Sequence, residues 1–375
     1  MVRFSRSNTG RLANWWWNVD KVTLSLLLIV MFIGAFLVFS ASPSVARTDN
    51  FSDYYFIKKQ IVFIAGALGI LFFTSMLRLK NIRRLSIVLY ILFFVLMIAT
   101  LVVGHSTKGG SRWIRLFGFT LQPSEFIKPT FIVVSAWLLE GSKKFEDFPG
   151  TLLSFGLFLM TVGILVLQPD IGMSMAIAIV WGFQLFLSGL SATAIGVLGL
   201  LGIVGGVGAY FTLSHVHDRA QQFLFSHADV SYQVKKSLMA FENGNLLGQG
   251  PGEGTVKLTL PDAHTDFILA VAGEEFGVWL CLIIVMIFAL IVVRALKRCV
   301  QDNNLFIMYA TAGLATSLGV QSVINMASTL YLMPTKGMTL PFVSYGGSSL
   351  WASAFGMGML LALTRRNSSA EDKDI

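Results

Sequence analysis

The chain has 375 residues, of which 55% are hydrophobic and only 13% charged, with a mean hydropathy of +0.71. Soluble domains are about a quarter charged, so this composition excludes a soluble globular protein and describes an integral membrane one. A formal net charge of +8 would suggest nucleic acid in a soluble chain; here it reads as basic cytoplasmic loops, contact with membrane lipids and an anionic lipid substrate, and implies no nucleic acid.

Residues 1–21 form a polar N-terminal segment that closes on Trp15, Trp16 and Trp17, an interfacial anchor. No cleavable leader is apparent, and the first apolar run is long enough to be a retained helix. Spans are predicted at 22–43, 55–77, 85–104, 124–140, 150–168, 171–189, 192–213, 267–296, 305–328 and 342–364. Residues 22–364 therefore read as one all-α, polytopic domain of ten transmembrane helices, followed by a tail at 365–375. Ten spans put both termini on one side. Sixteen Lys and Arg fall in the loops of that side and eleven in the opposite loops, so both termini are expected in the cytoplasm. Cys281 and Cys299 belong to one apolar run and its edge, and provide neither a disulfide framework nor a metal site.

The opposite loops collect the polar chemistry. Residues 105–124 carry Lys108, Arg112, Trp113 and Arg115. The one long loop, 214–266, lies between spans seven and eight and is periplasmic in this topology. In it Val234, Leu238 and Phe241 recur at helical spacing, which predicts an amphipathic helix lying in the interface. Gly248, Gly250, Gly252 and Gly254 follow no strand and open no helix; they read as a turn permitting close backbone approach, not as a dinucleotide fingerprint. Gly199, Gly202, Gly205, Gly206 and Gly208 in span seven are assigned to close helix packing. The third polar loop, 329–347, is rich in Pro and Gly and holds Lys336, which by itself reads as a solvated charge.

Ionisable residues within or beside spans invite a functional reading, because desolvation makes them costly. Glu125 and Lys128 are three apart, share a helix face and can pair. Asp170, in the Gln168-Pro169-Asp170 break between spans five and six, can join them. A structural ion pair and a cavity-lining cluster are both open readings, and they are compatible. Glu274 and Glu275 are adjacent in span eight and so cannot share a face; their role is open. Leu260–Phe267 places Asp262, His264 and Asp266 where the long loop meets span eight. This is either a functional cluster at the membrane boundary or a polar cap in which Thr265 or Asp266 accepts the first free N–H groups.

The stretches QPSEFIK (122–128), QPDIG (168–172), LPDAHTDF (260–267), GEEFG (273–277) and KGMTLPFVSYGGSS (336–349) occur in that order. Together they make the chain resemble the SEDS family (shape, elongation, division and sporulation) of bacterial membrane proteins. Ala263 before His264-Thr265-Asp266, with the tryptophan cluster, makes it more similar to the division branch than to the elongation branch. Asp262 stands where the family more often has glutamate, which keeps the charge.

The resemblance implies a peptidoglycan glycosyltransferase that polymerises lipid II at the outer face of the bacterial cytoplasmic membrane, at the division septum. It also implies work with a class B penicillin-binding protein, the septal transpeptidase, and with other division proteins. The family's essential loop aspartate falls on Asp266, its loop tryptophan on Trp113, and its buried charged cluster on Glu125, Lys128 and Asp170. A divalent cation, magnesium or manganese, is implied by the resemblance alone.

Joining two lipid-linked disaccharides needs a base for the attacking hydroxyl and positive charge for the departing diphosphate. Asp266 is expected to be the base, with desolvation raising its basicity. His264 is the runner-up, or else orients the loop. Arg112, Arg115, Lys128 and Lys336 are expected to be outward-facing cations, and Trp113 to stack on a sugar or anchor its loop. A lipid II flippase and a non-catalytic division scaffold are the alternatives. The lack of an obvious inverted repeat and the boundary position of the acidic motif argue against the flippase.

Overall fold

A computed structural model describes residues 10–48, 51–103, 105–107, 110–116, 119–212, 217, 221, 232–334 and 337–365. Ten helices occupy the ten predicted spans: α2 (Lys21–Thr48), α3 (Tyr55–Ser75), α4 (Leu79–Val103), α5 (Pro123–Lys144), α6 (Gly150–Leu167), α7 (Ile171–Leu187), α8 (Ala192–Thr212), α10 (Ile268–Val300), α11 (Leu305–Thr329) and α12 (Gly347–Leu363). The short α1 (Arg11–Asn18) precedes them, and α9 (Tyr232–Gly244) lies in the long loop. Six of these helices, α2, α3, α4, α6, α10 and α11, are long and apolar enough to cross a membrane. The chain is a multi-pass membrane protein.

Local signals explain several boundaries. Pro123 begins α5, where its missing N–H goes unneeded. Asn304 caps α11, its Oδ1 accepting from the Phe306 and Ile307 amides at 3.0 and 3.4 Å. The wholly α-helical expectation needs one correction. The first polar loop forms a small antiparallel sheet of β1 (His105–Thr107), β2 (Gly110–Leu116) and β3 (Phe119–Leu121), in that order. Ile114 pairs with Leu121 and Arg115 with Thr120. Arg-Trp-Ile-Arg-Leu contains aromatic and β-branched residues but no clean polar–apolar alternation, a strand signal too short and weak to stand out beside the spans.

The inner helices are α5, α11 and α12. Ile127, Phe131, Val133, Ala136 and Leu139 of α5 are fully buried, and Leu360, Leu361 and Ala362 nearly or fully so. The outer helices keep large apolar residues exposed, among them Phe32, Phe73 and Val102, as a lipid-facing surface requires. Helix α8 departs from expectation. A Cβ added at Gly199, Gly202, Gly205, Gly206 or Gly208 would meet nothing within 4 Å, so these glycines serve no close helix packing among the described residues.

Ion pairs and hydrogen bonds sort the helix ends into two sets. At one end Arg294 and Arg298 pair with Asp20, Arg83 and Lys144 pair with Glu140, and Trp15 donates to Ser75. These contacts join the starts of α2 and α4 to the ends of α3, α5 and α10. At the opposite end lie the sheet, the α6–α7 hairpin, α9 and the segments before α10 and α12.

Candidate active site

The segment before α10 is a tight turn built on Asp262. Its φ of 55° is left-handed, and its carbonyl accepts from the Thr265 amide at 3.0 Å and the Phe267 amide at 3.3 Å. The cap position of α10 falls on Phe267, so neither Thr265 nor Asp266 occupies it. The carbonyls of residues 264, 265 and 266 are taken by the C-terminal part of the chain. The Tyr345 amide donates to the His264 carbonyl at 2.8 Å. The Ser344 hydroxyl donates to the Thr265 carbonyl at 2.6 Å, and Asn325 Nδ2 to the Asp266 carbonyl at 2.9 Å. The segment 337–346 is thereby laced to 264–266. Asp266 itself is half-buried, and its Oδ2 lies 3.7 Å from where a Cβ on Gly337 would stand.

His264 is buried, its ring 4.7 Å from Phe56 and 5.0 Å from Tyr345 between centroids. This aromatic packing fixes the ring within the turn.

Glu125 and Lys128 form the expected pair at 2.7 Å, both buried. Lys128 also donates to Gln321 Oε1. A small, partly open cleft between α5, α11 and α12 is lined by this pair together with Leu318, Gln321, Pro341 and Met357. Asp170 does not bond Lys128. It caps α7 by accepting from the Met173 amide at 3.3 Å, and lies 3.5 Å from an Arg112 nitrogen. Burial pushes its carboxyl above the usual carboxylate range, with Arg112 opposing.

The cations are arranged differently from the sequence expectation. Arg112 and Trp113 are neighbours in β2 and so face opposite sides of the strand. Arg112 turns toward the α6–α7 hairpin, donating through Nε to the Gln168 carbonyl at 3.0 Å and through Nη2 to the Pro169 carbonyl. It is not outward-facing, and Lys128, 5% exposed, is not either. Arg115 is exposed and Trp113 half-buried. Lys336 lies outside the described residues.

Helix α9 forms within the long loop as predicted, and one of its faces packs on protein. Val234, Ser237, Ala240 and Gly244 are buried against protein, Ser237 donating to the Thr329 carbonyl at 2.8 Å. The reason is steric. A Cβ on Gly244 would stand 1.9 Å from the Gly273 carbonyl oxygen, and one on Gly273 would stand 2.4 Å from the Phe241 ring. Only glycine at both positions lets α9 seat on α10.

Beyond α9 the glycine-rich segment closes onto α10. Gln249 and Gly250 donate their amides to the carbonyls of Glu274 and Glu275 at 2.9 and 3.0 Å. Glu274 accepts from the Val256 amide at 2.7 Å, the Lys257 amide at 2.9 Å and Asn243 Nδ2 at 2.8 Å. Glu275 pairs with buried Lys257 and accepts from Ser40 at 2.5 Å. The two carboxylates thus fasten the loop ahead of Asp266 to α2 and α10. Sequence reasoning missed Lys257, Ser40, Gln321, Asn325 and Ser344. For Gln321 and Asn325 a signal existed, since amides at i and i+4 within an apolar span ask for a partner. Among the described residues no three His, Cys, Asp or Glu side chains converge as metal ligands.

Comparison with known proteins agrees with this architecture. A family model described as a cell cycle protein, FtsW/RodA/SpoVE, matches residues 20–369. A probable peptidoglycan glycosyltransferase FtsW from Caulobacter vibrioides is 39% identical over 368 residues, covering 98% of this chain and 94% of that one. A probable peptidoglycan glycosyltransferase FtsW from Geobacter sulfurreducens is 36% identical over 359 residues, covering 92% and 95%. Among solved structures, one reporting the structural coordination of polymerization and crosslinking by a peptidoglycan synthase complex superposes with a TM-score of 0.78, at 26% identity over 92% of this chain and 97% of that one. The rod shape determining protein RodA of Thermus thermophilus superposes with a TM-score of 0.70, at 25% identity over 94% and 98%.

Proposed function

The chain belongs to the FtsW/RodA/SpoVE family of cell cycle proteins, and we propose that it is a peptidoglycan glycosyltransferase that polymerises lipid II at the outer face of the bacterial cytoplasmic membrane during septal wall synthesis. Ten helices cross the membrane in this reading, both termini are cytoplasmic and loop 214–266 is periplasmic. The excess of basic residues in the loops on the terminal side supports that orientation. The partner is a class B penicillin-binding protein, a reading supported by the likeness to a synthase complex that couples polymerization to crosslinking.

One observation carries the chemistry: Asp266 is half-buried on a turn whose three successive carbonyls are tied down, with its carboxylate close to Gly337. A carboxylate so held is preorganised to take the proton from a sugar hydroxyl. As that oxygen bonds to the anomeric carbon of a second lipid-linked sugar, the anomeric carbon–oxygen bond breaks and diphosphate leaves. Arg115, exposed on β2, and Lys336 are the cations assigned to the departing charge. Arg112, Asp170, Glu125 and Lys128 shape the surroundings, and Trp113 either stacks on a sugar or anchors the sheet. Magnesium or manganese would help neutralise the diphosphate if held by a single carboxylate here together with the substrate's own phosphate oxygens; no cage of three acidic, His or Cys side chains is found among the described residues.

The test uses the purified full-length chain in lipid with its crosslinking partner and fluorescent lipid II. Glycan polymer is expected from the parent and only a small residual rate from Asp266→Asn, with melting behaviour and partner co-purification retained. Parent-like polymer from Asp266→Asn would remove the base assignment. Lipid II translocation without polymer would identify a flippase, and partner binding with neither would identify a scaffold.

A further inference from the structure

Gln321 and Asn325 stand one helical turn apart on α11, both nine-tenths or more buried, and both direct their amide nitrogens at the segment that faces Asp266. Asn325 Nδ2 donates to two carbonyls at once, that of Asp266 at 2.9 Å and that of Met338 at 2.7 Å. Gln321 Nε2 donates to the next carbonyl of the same segment, Thr339, at 3.0 Å, while its Oε1 accepts from Lys128. Two adjacent carbonyls of one segment and the backbone of Asp266 are therefore gripped by one face of one rigid helix. Gly337, immediately ahead of these carbonyls, has a φ of 62°, and a Cβ there would stand 3.7 Å from Asp266 Oδ2.

The chemistry of the grips is restrictive. Asn325 faces two acceptors, so only a side chain with two N–H groups satisfies both; aspartate would bring an acceptor to acceptors. Gln321 works in both directions, so glutamate there keeps the Lys128 contact but replaces the donation to Thr339 by an acceptor facing its carbonyl.

We propose that Gln321 and Asn325 are positioning residues for the glycosyl transfer, setting the register of segment 337–339 against Asp266 and joining it to the Glu125–Lys128 pair. The inference rests on the reading of Asp266 as the base. Rigid placement by a helix, not by the loop itself, follows the general need to hold reacting groups within a fraction of an ångström, where a 1 Å error is felt as roughly a hundredfold loss of rate.

The experiment measures kcat and KM for fluorescent lipid II, together with thermal unfolding, for the full chain and its partner. The variants are Gln321→Glu, Asn325→Asp, Asp266→Asn and the double variant Asp266→Asn/Asn325→Asp. Gln321→Glu is expected to keep its unfolding temperature and to lose kcat by roughly ten- to a hundredfold, with KM changed by less than about threefold. Asn325→Asp is expected to lose at least as much kcat, and the double variant no more than Asp266→Asn alone. Losses that track the fraction unfolded, that appear in KM alone, or that add to the effect of Asp266→Asn overturn the inference. Should Asp266→Asn retain activity, the base assignment falls. Should Asp266→Asn keep only a small residual rate while Gln321→Glu and Asn325→Asp keep kcat within about twofold of the parent, the base assignment stands and the positioning role falls.

Discussion

Replacing Lys257 by methionine tests whether the loop ahead of Asp266 is fastened by charge. Lys257, 4% exposed, pairs with Glu275 and donates to the Ser40 hydroxyl at 2.8 Å and the Gly252 carbonyl at 3.1 Å. Methionine retains most of the apolar stem's packing but withdraws all three donations. Glu275, 1% exposed, is then left with Ser40. Removing one partner of a buried pair destabilises by about 3–5 kcal/mol, because the other charge stays behind uncompensated. Felt locally, at ~1.4 kcal/mol per tenfold, this raises the opening of the loop by roughly a hundred- to several-thousand-fold. Native-state hydrogen exchange reads it at four amides: Val256 and Lys257, which donate to the Glu274 carboxylate, and Gln249 and Gly250, which donate to the carbonyls of Glu274 and Glu275. Replacing both partners, Lys257→Met with Glu275→Leu, should restore much of the protection, since an apolar pair of similar volume substitutes well for a buried ion pair. Exchange in Lys257→Met within about threefold of the parent, or a double variant less protected than the single one, would refute the reasoning.

Three further outcomes are expected. Gly277→Ala places a side chain at a φ of 70°, with its Cβ 2.2 Å from the Leu246 carbonyl oxygen; strain of about 1–3 kcal/mol plus the clash should lower the unfolding temperature and loosen the α9–α10 contact, visible as faster exchange at the Val278 amide. Arg112→Lys keeps a charge near Asp170 but cannot reproduce the contacts to the Gln168 and Pro169 carbonyls, so the α6–α7 hairpin should lose about 1–3 kcal/mol of local stability by exchange, while a retained hairpin would deny the clamp. Asp20 is buried, which alone would raise its carboxyl, yet hydrogen bonds from Arg294 and Thr23 and the charge of Arg298 hold it below its ordinary 3.8. Its stabilisation is therefore fully present above that value and fades as pH falls through the lower folded value. Asp20→Asn should melt earlier than the parent at neutral pH and converge with it only in acid below about pH 4, whereas convergence near neutrality would contradict the sign.

Much of the fold and part of the candidate site are visible without coordinates, and the division follows the range of the forces involved. Spans declare themselves because hydropathy accumulates along a contiguous run, so each of the ten segments holds a helix. Glu125 and Lys128 pair as their spacing requires, since three residues along a helix fix a neighbour. The motif around Asp266 is conspicuous because acids at the mouth of a span are expensive wherever they point. Other features depend on which faces meet, and local pattern does not carry that. Asp170 meets Arg112 because a strand turns one face to a hairpin 58 residues further along. His264 packs between two aromatic rings contributed by distant segments. The protein partner of α9 is equally invisible to local pattern, since its small residues suit a neighbouring helix as well as they suit an interface. Composition and short-range spacing determined that this chain spans a membrane and where its charged residues enter it. Only the tertiary structure decided that residues 264–266, 321–325 and 337–345 form one laced unit, because hydrogen bonds between distant segments exist only after the helices have packed.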